Sequence, residues 1–574
     1  MKRFQDFYIP LVAATLFLCT GSALGQAPPP RLFFTDLTSA PNSGGESVGS
    51  TAGAYITLYG NFLGSSQGSS SVAWSGAPNC NTSTATGIRV VGATGAYGGW
   101  GSPHRWYQKI IIQIGTGCTA GSGNLTVTVG GVQSNPLPFT VRATGTVRCV
   151  QAGTSGTDTG TYPNCYRSSA VVTCKNAMAA GDICYLLDGV SPPNVEDNYN
   201  AVVLLQATGS AAAPRAILAA PGATATINAG SRFAIRTTGA SYWIIGGLTL
   251  ISDNEAVELS PSNNNMTFVA NDMSCPGGSG QAACWHSDTT AATKFYGNYV
   301  HHVSTALASI DKYYHAVYFT TNSNGADVGW NEVAPNPNGA AGSACRAIQF
   351  YSTGGSDQYD LHVHDNFIHH TCCDGINFAT VNPDAGVVEA YNNVVWHVGT
   401  GPDPSNGSSN YSCVLTGASA TRTTPVELYN NTFYDCGSRG GNDSGAIAPS
   451  TSTRMRNNIV YQVSGEHYKN PNAGGQLSGS NNAWFGLTES VPAGLTAGLT
   501  ANPQFINTST PDFHLTNPGS SMINAGATIN GLLTDVDGAT RPQGANYDVG
   551  AYEAHTGSPS GPAAPTLISV VPIP

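Results

Sequence analysis

The most constraining feature of the chain is a short motif that recurs seven times. Each copy alternates apolar and polar residues, reaches an Asn, and continues into a second short run, as in "KFYGNYVH" and "HVHDNFIH". Successive copies are separated by 27 to 38 residues. The shared residues are Asn271, Asn298, Asn331, Asn366, Asn393, Asn431 and Asn458. A period of about 30 residues with strand-type alternation predicts a β-solenoid with one coil per copy.

The recurring Asn has a structural interpretation. Asn adopts a left-handed backbone conformation more readily than most residues, which suits a sharp corner. Its amide can also hydrogen-bond to the Asn of the next coil and so form a ladder. We therefore interpret the seven asparagines as structural.

Composition fits short strands and limits the partners. Charged residues make up only 10% of the chain, and there are 69 glycines. Few charges with many turn-forming residues favour strands and tight corners. The net charge of -11 argues against nucleic acid as the main partner, because phosphate binding requires a cationic surface. A local basic pocket for an acidic sugar remains compatible with it.

The first residues read as an export signal. Lys2 and Arg3 precede an apolar run that ends in small residues, which predicts a signal peptide over 1–25. The run is short for a membrane span. We expect a secreted protein of bacterial origin, extracellular or at the cell surface, with no membrane span.

Thirteen of the fourteen cysteines remain once Cys19 of the leader is removed. Export predicts that most of them pair, and an odd number leaves at least one thiol free. Candidate pairs are Cys80 with Cys118, Cys275 with Cys284, Cys345 with Cys372 or Cys373, and Cys413 with Cys436. Another four cluster at the start of the repeats, namely Cys149, Cys165, Cys174 and Cys184. Zinc-like CxxC spacing is missing from the sequence, so we expect no structural metal.

Residues 30–143 form alternating strands with Gly and Asn turns. "AYITLYGNFLG" and "GNLTVTVGGVQSNPLPFTV" resemble an IPT/TIG domain, which implies an immunoglobulin-like sandwich acting as a spacer or binding module. Its aromatic residues either form a sugar-stacking patch or are buried, and we favour burial. They are Trp74, Trp100, His104, Trp106 and Tyr107.

Residues 145–555 resemble the right-handed parallel β-helix of the pectin-lyase-like superfamily. "CKNAMAAGDICYLLDG" is typical of a short capping helix followed by a strand, which covers the open end of the solenoid. "DVDGATRPQGANYDVGAYE" resembles the terminal turns of such proteins. That resemblance implies structural roles for Asp535, Asp537, Arg541, Asp548 and Glu553. Residues 556–574 are linker-like, so the predicted fold is all-β, a sandwich followed by a right-handed parallel β-helix.

Three repeats differ in their first residue. "HAVYFTTNSNG", "RAIQFYSTGG" and "DGINFATVNPD" share an apolar frame but begin with His315, Arg346 and Asp374. Because neighbouring coils lie about 4.8 Å apart, these side chains should stack in one column. Tyr318, Gln349 and Asn377 should form a second, outward-facing column. The next two lead residues are taken as Ser412 and Ser444, so the ionisable set spans three coils.

This column has two interpretations, a catalytic surface or a salt-bridged corner ladder in which Asp374 balances Arg346. In the catalytic interpretation the protein is a lyase or C5 epimerase acting on uronic-acid glycans. Arg346 would bind the carboxylate of the sugar, and His315 or Tyr318 would take the C5 proton. Asp374 would orient Arg346 or His315. Substrate contacts are expected from Lys312, Gln349, Asn377 and Tyr351.

Two alternatives stay open. A glycoside hydrolase needs two carboxylates about 5–10 Å apart, and Asp374 with Asp311 or Asp365 is the candidate pair. The other alternative is a non-catalytic surface protein that binds glycans. The expected partner is a polysaccharide, the expected state is a monomer, and no cofactor or metal is expected, with calcium as the alternative. A metal site among His301, His302, His362, His364, His369 and His370 is the weaker idea.

Overall fold

The structure is a computed structural model. It describes residues 28–48, 52–92, 99–153, 158–167, 171–191, 199–440, 444–468, 476–487 and 491–555. The predicted signal peptide and the linker-like tail lie outside these residues. Strands and the helix are numbered in chain order.

The N-terminal module is a two-sheet β-sandwich, as expected for the immunoglobulin-like class, while its assignment to IPT/TIG remains a prediction. One sheet contains β1 (Arg31–Thr35), β3 (Tyr55–Asn61), β5 (Ile88–Val90), β6 (Ser102–His104) and β7 (Tyr107–Ile114). The other contains β2 (Ser39–Pro41), β4 (Ser71–Trp74), β8 (Gly121–Val129), β9 (Val132–Gln133) and β10 (Leu137–Arg142). Most neighbours are antiparallel, and only the β2–β10 pair is parallel.

The rest of the chain coils through three parallel sheets, which confirms the right-handed parallel β-helix. Each coil passes through sheet A, then sheet B, then sheet C. Sheet A contains β11 (Val147–Gln151), β12 (Tyr166–Arg167), β13 (Ile183–Leu186), β15 (Arg215–Ala219), β18 (Trp243–Gly246), β21 (Thr267–Val269), β24 (Lys294–Tyr296), β27 (Asp327–Gly329), β30 (Leu361–His364), β33 (Val388–Tyr391), β36 (Val426–Tyr429), β39 (Thr453–Arg456), β41 (Leu477–Ser480) and β43 (Leu495–Thr496).

Sheets B and C are shorter. Sheet B contains β16 (Thr226–Asn228), β19 (Thr249–Ile251), β22 (Asp272–Cys275), β25 (Tyr299–Val303), β28 (Glu332–Ala334), β31 (Phe367–Thr371), β34 (Val394–Val398), β37 (Thr432–Tyr434), β40 (Ile459–Tyr461) and β42 (Ala483–Phe485). Sheet C contains β14 (Ala201–Leu205), β17 (Phe233–Thr237), β20 (Val257–Leu259), β23 (Ala282–Asp288), β26 (Ile310–Thr320), β29 (Ser343–Tyr351), β32 (Ile376–Phe378), β35 (Tyr411–Thr416) and β38 (Ser444–Pro449).

The predicted Asn ladder runs along the corner between sheets A and B. Each amide nitrogen donates to the amide oxygen of the Asn one coil on, over 2.9 to 3.1 Å. The ladder continues to Asn482, an eighth member that the motif search did not include. The left-handed residue at each corner precedes the Asn, as Ala270 precedes Asn271 and Trp330 precedes Asn331. The expectation that the ladder Asn itself is left-handed was wrong. Its side-chain amide donates to a buried backbone carbonyl, and the residue before it adopts the left-handed conformation of the turn.

The capping helix and the disulfides agree with the sequence. Helix α1 (Val171–Ala177) packs Val171 and Cys174 onto the start of the solenoid core. Six disulfides form, namely Cys80–Cys118, Cys149–Cys165, Cys174–Cys184, Cys275–Cys284, Cys345–Cys373 and Cys413–Cys436. Cys372 is the one free cysteine among the described residues. This many disulfides is typical of proteins that fold outside the cytoplasm. In the described part of the chain, no helix is long and apolar enough to cross a membrane.

The sandwich docks on the side of the solenoid through its aromatic residues. Trp106 stacks on Phe367 with ring centroids 4.0 Å apart, and the Arg105 guanidinium lies 3.9 Å above the Tyr299 ring. Trp74 and Trp100 are buried within the sandwich itself. Burial was therefore the right interpretation of the Trp and Tyr residues, while His104 is half-buried. Trp106 and Tyr107 contact the solenoid, so their burial depends on the second module.

The chain after the last coil folds back along the solenoid. Sheet A ends at β43, and β44 (Phe505–Asn507) with β45 (Asp512–Leu515) forms an antiparallel pair. The Asn392 amide donates to the Thr534 carbonyl at 2.9 Å, and Asn430 donates to the Asp548 carbonyl at 3.0 Å. This segment lies within the range 145–555 that the sequence assigns to the β-helix, and it covers the corner between sheets A and B. Its Arg541 and Glu553 form a fully buried ion pair of 2.7 Å, in line with a structural role.

Candidate functional site

The register of sheet C brings the two predicted columns together. His315 of β26 lies opposite Arg346 of β29, and the amide of the next residue, Ala347, donates to the Asp374 carbonyl at 3.1 Å. The second column is in register as well, with Tyr318 opposite Gln349 and Gln349 opposite Asn377.

An interruption of the strand alternation puts both columns on one side. Val317 and Phe319 face the core, as predicted, but Ala316 is buried in the same core. Because Ala316 and Val317 both face the core, the side chain of the preceding residue, His315, is turned away from the position that strict alternation would give it, as happens in bulged strands. The His315 ring consequently meets the Tyr318 ring edge-on, with centroids 4.8 Å apart.

The predicted lead residue Ser444 belongs to a different column. Ser412 lies opposite Gly445, whereas Ser444 lies opposite Tyr411. The alignment was wrong by one residue, because both Ser444 and Gly445 are small and the apolar frame cannot separate them. The ionisable part of the column still ends at Asp374.

The Arg346 guanidinium is held on three sides. Its Nε donates to Asp374 Oδ2 at 3.2 Å, its Nη1 to the Lys312 carbonyl at 3.2 Å, and its Nη2 to Ser409 Oγ at 2.9 Å. The side chain is only 11% exposed. Ser409 belongs to loop 399–410, which lies over the arginine. Arg346 therefore supplies a fixed positive charge. Because its nitrogen atoms are already hydrogen-bonded within the protein, a substrate would be attracted by the charge without a direct hydrogen bond to the guanidinium.

Asp374 is a buried anchor for this charge. Its carboxylate also accepts hydrogen bonds from Ser412 Oγ at 2.8 Å and from Asn377 Nδ2 at 2.9 Å. Burial raises the pKa of Asp374, against the opposing effects of Arg346 and these hydrogen bonds. The side chain of Asp374 is 0% exposed. Its contact with Arg346 fits both interpretations of the column: an Asp that orients the arginine of a catalytic surface, and a salt bridge in a structural ladder.

His315 is a buried imidazole with an unused nitrogen. It is 3% exposed, and its Nδ1 has no hydrogen-bond partner within the described residues. Burial, with the charges of Arg346 and His286, lowers the pKa of His315 well below its usual value. The ring is therefore neutral at neutral pH, and its unpartnered Nδ1 is itself enclosed by the protein.

Tyr318 has the opposite tendency. Burial raises its pKa to about 12, although a hydrogen bond with Gln349 opposes the shift. The phenol thus keeps its proton at neutral pH and can donate it. An acceptor and a donor of protons lie side by side on one strand.

The coil before β26 adds residues that the sequence reasoning missed. Glu258 lies opposite His286, and His286 lies opposite Tyr318. The His286 ring stacks on the Tyr318 ring at 5.3 Å, and its Nδ1 is 3.1 Å from Glu255 Oε2. Burial lowers the pKa of His286, but Glu255 outweighs it and raises the pKa overall. Extending the repeat alignment to "EAVELS" and "CWHSD" would have found them.

The other expected contacts lie around the column. Tyr351 is 38% exposed, and Lys312 is half-buried with its Nζ 5.6 Å from the Tyr313 ring centroid. Gln349 and Asn377 are buried, and the Oδ1 atom of Asn377 has no partner in the part of the chain that is described.

The two carboxylates of the hydrolase alternative are not brought together on the surface. Asp374 is enclosed, as described above. Asp365 occupies the corner between sheets A and B, where it contacts His364 Nδ1 at 2.8 Å. Asp311 accepts hydrogen bonds from Asn406 Nδ2 at 3.0 Å and from the Gly280 amide at 2.8 Å. Across the described ranges, no group of three or more His, Cys, Asp or Glu residues is arranged to hold a metal ion.

Comparison with known proteins finds solved structures that are similar to this chain in architecture. No protein-family model and no curated protein matches the sequence. Pectate lyase Pel9A is a similar solved structure, with 12% identity and a TM-score of 0.48 over 71% of this chain and 96% of that one. An alginate lyase from Paenibacillus sp. str. FPU-7 has 14% identity and a TM-score of 0.32 over 62% and 95%. The Family 28 exopolygalacturonase of Yersinia enterocolitica has 10% identity and a TM-score of 0.33 over 83% and 99%. The fold assignment rests on the strand register described above.

Proposed function

We propose that the chain is an extracellular, polysaccharide-active β-helix protein, and that sheet C carries a lyase or C5-epimerase site for uronic-acid glycans. One observation carries the proposal: a neutral His315 with a free Nδ1 lies between a fixed arginine cation and a protonated Tyr318. Several similar structures, including the pectate and alginate lyases, bear names of enzymes that act on acidic polysaccharides.

The chemistry assigns one role to each residue. The Arg346 charge, with the Lys312 ammonium, stabilises the negative charge that develops on the sugar carboxylate when C5 loses its proton. His315 Nδ1 accepts that proton, and an anionic sugar beside it would raise its basicity. In elimination the C4–O bond breaks, a C4–C5 double bond forms, and Tyr318 protonates the departing oxygen. In epimerisation Tyr318 would instead return a proton to the opposite face of C5.

A second candidate, glycan binding without catalysis, is favoured by the enclosure of the column. All three guanidinium nitrogens of Arg346 are engaged within the protein, and His315 is almost fully buried. A purely structural ladder would look similar in these respects.

Alginate, pectate and glycosaminoglycans distinguish the candidates. A lyase produces the absorbance of unsaturated uronates, a hydrolase produces reducing ends without it, and a binding protein produces neither. Tyr318→Phe removes only the hydroxyl, and we expect kcat/KM to fall by roughly 100-fold or more, as for loss of a general acid. Tyr199→Phe, an exposed tyrosine just before β14 and far from the column, is the matched control and should stay near wild type. Equal loss in both variants, or in neither, would contradict the assignment of Tyr318.

A further inference from the structure

A cavity of about 720 Å³ borders loop 399–410. Its walls come from the end of β31, the end of β34, segment 336–341, the approach to β26 and the first half of the loop. The volume lies in the range of roughly 300–1,000 Å³ that is usual for small-molecule sites. The sheet C mechanism uses none of the residues that line it.

Two histidines in the wall lie at the same corner of successive coils. His370 and His397 have φ angles of 53° and 48°, and their ring centroids are 5.8 Å apart. The equivalent residues His302 and Asp435 have the same left-handed conformation, with φ angles of 49° each, so this backbone belongs to the corner of the coil. The imidazole side chains, and not the backbone, distinguish the wall of the cavity.

An internal comparison shows what His370 lacks. His302, two coils earlier, contacts His301 through Nδ1 at 2.5 Å, and its Nε2 is 2.8 Å from the Asn338 amide nitrogen. His370 contacts His369 through Nδ1 in the same way, at 2.7 Å. Within the described chain no residue takes the place of Asn338, and the ring borders the cavity instead. At His302 the Nε2 atom has a partner within the protein, whereas at His370 the same atom can form its hydrogen bond with a bound molecule.

The wall carries hydroxyl groups and balanced charges. The carboxylate in the wall, Asp403, is paired with Arg439 at 2.5 Å and accepts a hydrogen bond from the Tyr411 hydroxyl. Burial and neighbouring imidazoles lower the pKa of His370 to about 4, and burial lowers that of His397, so both are neutral at pH 7. The hydroxyl groups of Ser309 and Ser405 also line the cavity and are hydrogen-bonded to each other at 2.9 Å. The rest of the lining is largely apolar. A wall with a few uncharged polar groups on an apolar surface suits an uncharged ligand that has both hydroxyl groups and C–H faces.

We propose that this cavity binds a segment of a neutral oligosaccharide, with His370 Nε2 hydrogen-bonded to a sugar hydroxyl. The site is separate from the sheet C face and does not depend on the proposed lyase activity. It would let one protein hold uncharged and acidic glycans at the same time.

Calorimetric titration of the full chain tests this with neutral tetrasaccharides of glucose, mannose, galactose and xylose, and with tetragalacturonate as the charged comparison. We expect at least one neutral tetrasaccharide to bind. Loss of one hydrogen bond in His370→Leu should weaken binding about tenfold. His362→Leu alters a half-buried histidine on sheet A, away from the cavity, and should bind like wild type. Tyr318→Phe should also bind normally, which separates this site from the proposed lyase site.

A second variant protects the test against misfolding of His370→Leu. Ala308 is exposed at the rim of the cavity, so Ala308→Trp should fill it without disturbing the core. It should abolish binding of the neutral sugar and leave any uronate elimination unchanged. The proposal is overturned if no neutral tetrasaccharide binds, if Ala308→Trp binds as wild type does, or if only tetragalacturonate binds.

Discussion

In the buried Arg346–Asp374 pair each charge compensates the other, whatever the chemical role of the pair. Arg346→Met alone leaves a buried carboxylate without its partner, which typically costs about 3–5 kcal/mol. Arg346→Met with Asp374→Asn removes both charges, so we expect the midpoint of urea unfolding to return most of the way to wild type. The double variant should nevertheless be inactive on uronates, because the cation is gone. Wild-type kcat/KM in the double variant would contradict a catalytic role for the pair.

His315 should make stability sensitive to acid. Its pKa in the folded protein lies well below the unfolded value of 6.5, so the unfolded chain takes up the proton first as the pH falls. Stability from neutral His315 is therefore complete above about pH 6.5 and decreases below it, by at most about 1.4 kcal/mol per pH unit.

The comparison with His315→Gln isolates this effect. Other buried histidines, such as His104 and His370, also have lowered pKa values, but they are common to both proteins. Urea unfolding measured from pH 7.5 to 5 should fall more steeply for wild type than for His315→Gln. Parallel curves would show that His315 is accessible to protons in the folded state.

At the scale of single residues, sequence reasoning located the column but not its direction. The apolar frame of "HAVYF" and "RAIQF" determines which residues of adjacent coils meet, since parallel coils keep register. Whether His315 faces outward depends on Ala316 and Val317 both entering the core, and alternation alone predicts otherwise. Glu255 and His286 were missed because the search for the column followed ionisable lead residues. In the coil of His286 the lead position is Ala283, which is neutral, so the column seemed to begin at His315.

At the scale of elements, the corner between sheets A and B depends on the amide ladder. Asn366 donates to Asn393 Oδ1 and to the Val328 carbonyl, both at 2.9 Å, and accepts from Asn331. Asn366→Ala leaves several of these buried groups without partners, and each such group costs about 1–3 kcal/mol. We expect a loss of at least about 2 kcal/mol in the free energy of unfolding, measured in urea. Asn502→Ala, at an exposed turn, should change it by far less, and similar losses in both would contradict the ladder's importance.

Elements that follow from a local period were predictable, and elements held by distant contacts were not. The ladder, the capping helix and the bridging of Cys345 to the next coil follow from residues within about one coil of each other, although the choice of Cys373 over Cys372 was left open. The return of the C-terminal segment rests on contacts such as Asn392 to Thr534, which are 142 residues apart. The docking of Trp106 on Phe367 is equally non-local. The sequence around Trp106 predicts that this side chain is buried, but not which part of the protein covers it.

At the scale of the whole molecule, the solenoid acts as a rigid support for two differently charged surfaces. Sheet C presents a fixed cation beside an uncharged base, and the cavity beside loop 399–410 presents hydroxyl groups and neutral imidazoles. The sandwich and the C-terminal segment cover other faces of the coils, where Trp106 and Asn392 make their contacts. Both proposed sites therefore lie next to one loop, on faces other than those that the sandwich and the C-terminal segment contact.

The central claim is that sheet C removes the C5 proton of a uronic acid. Proton NMR of polyuronates incubated with the protein in D₂O tests it directly, because elimination and epimerisation both remove the C5 proton signal. Wild type should lose this signal on at least one of alginate, pectate or a glycosaminoglycan, and His315→Gln should preserve it. An unchanged C5 signal on all three substrates with wild type, or equal loss with His315→Gln, would contradict the account.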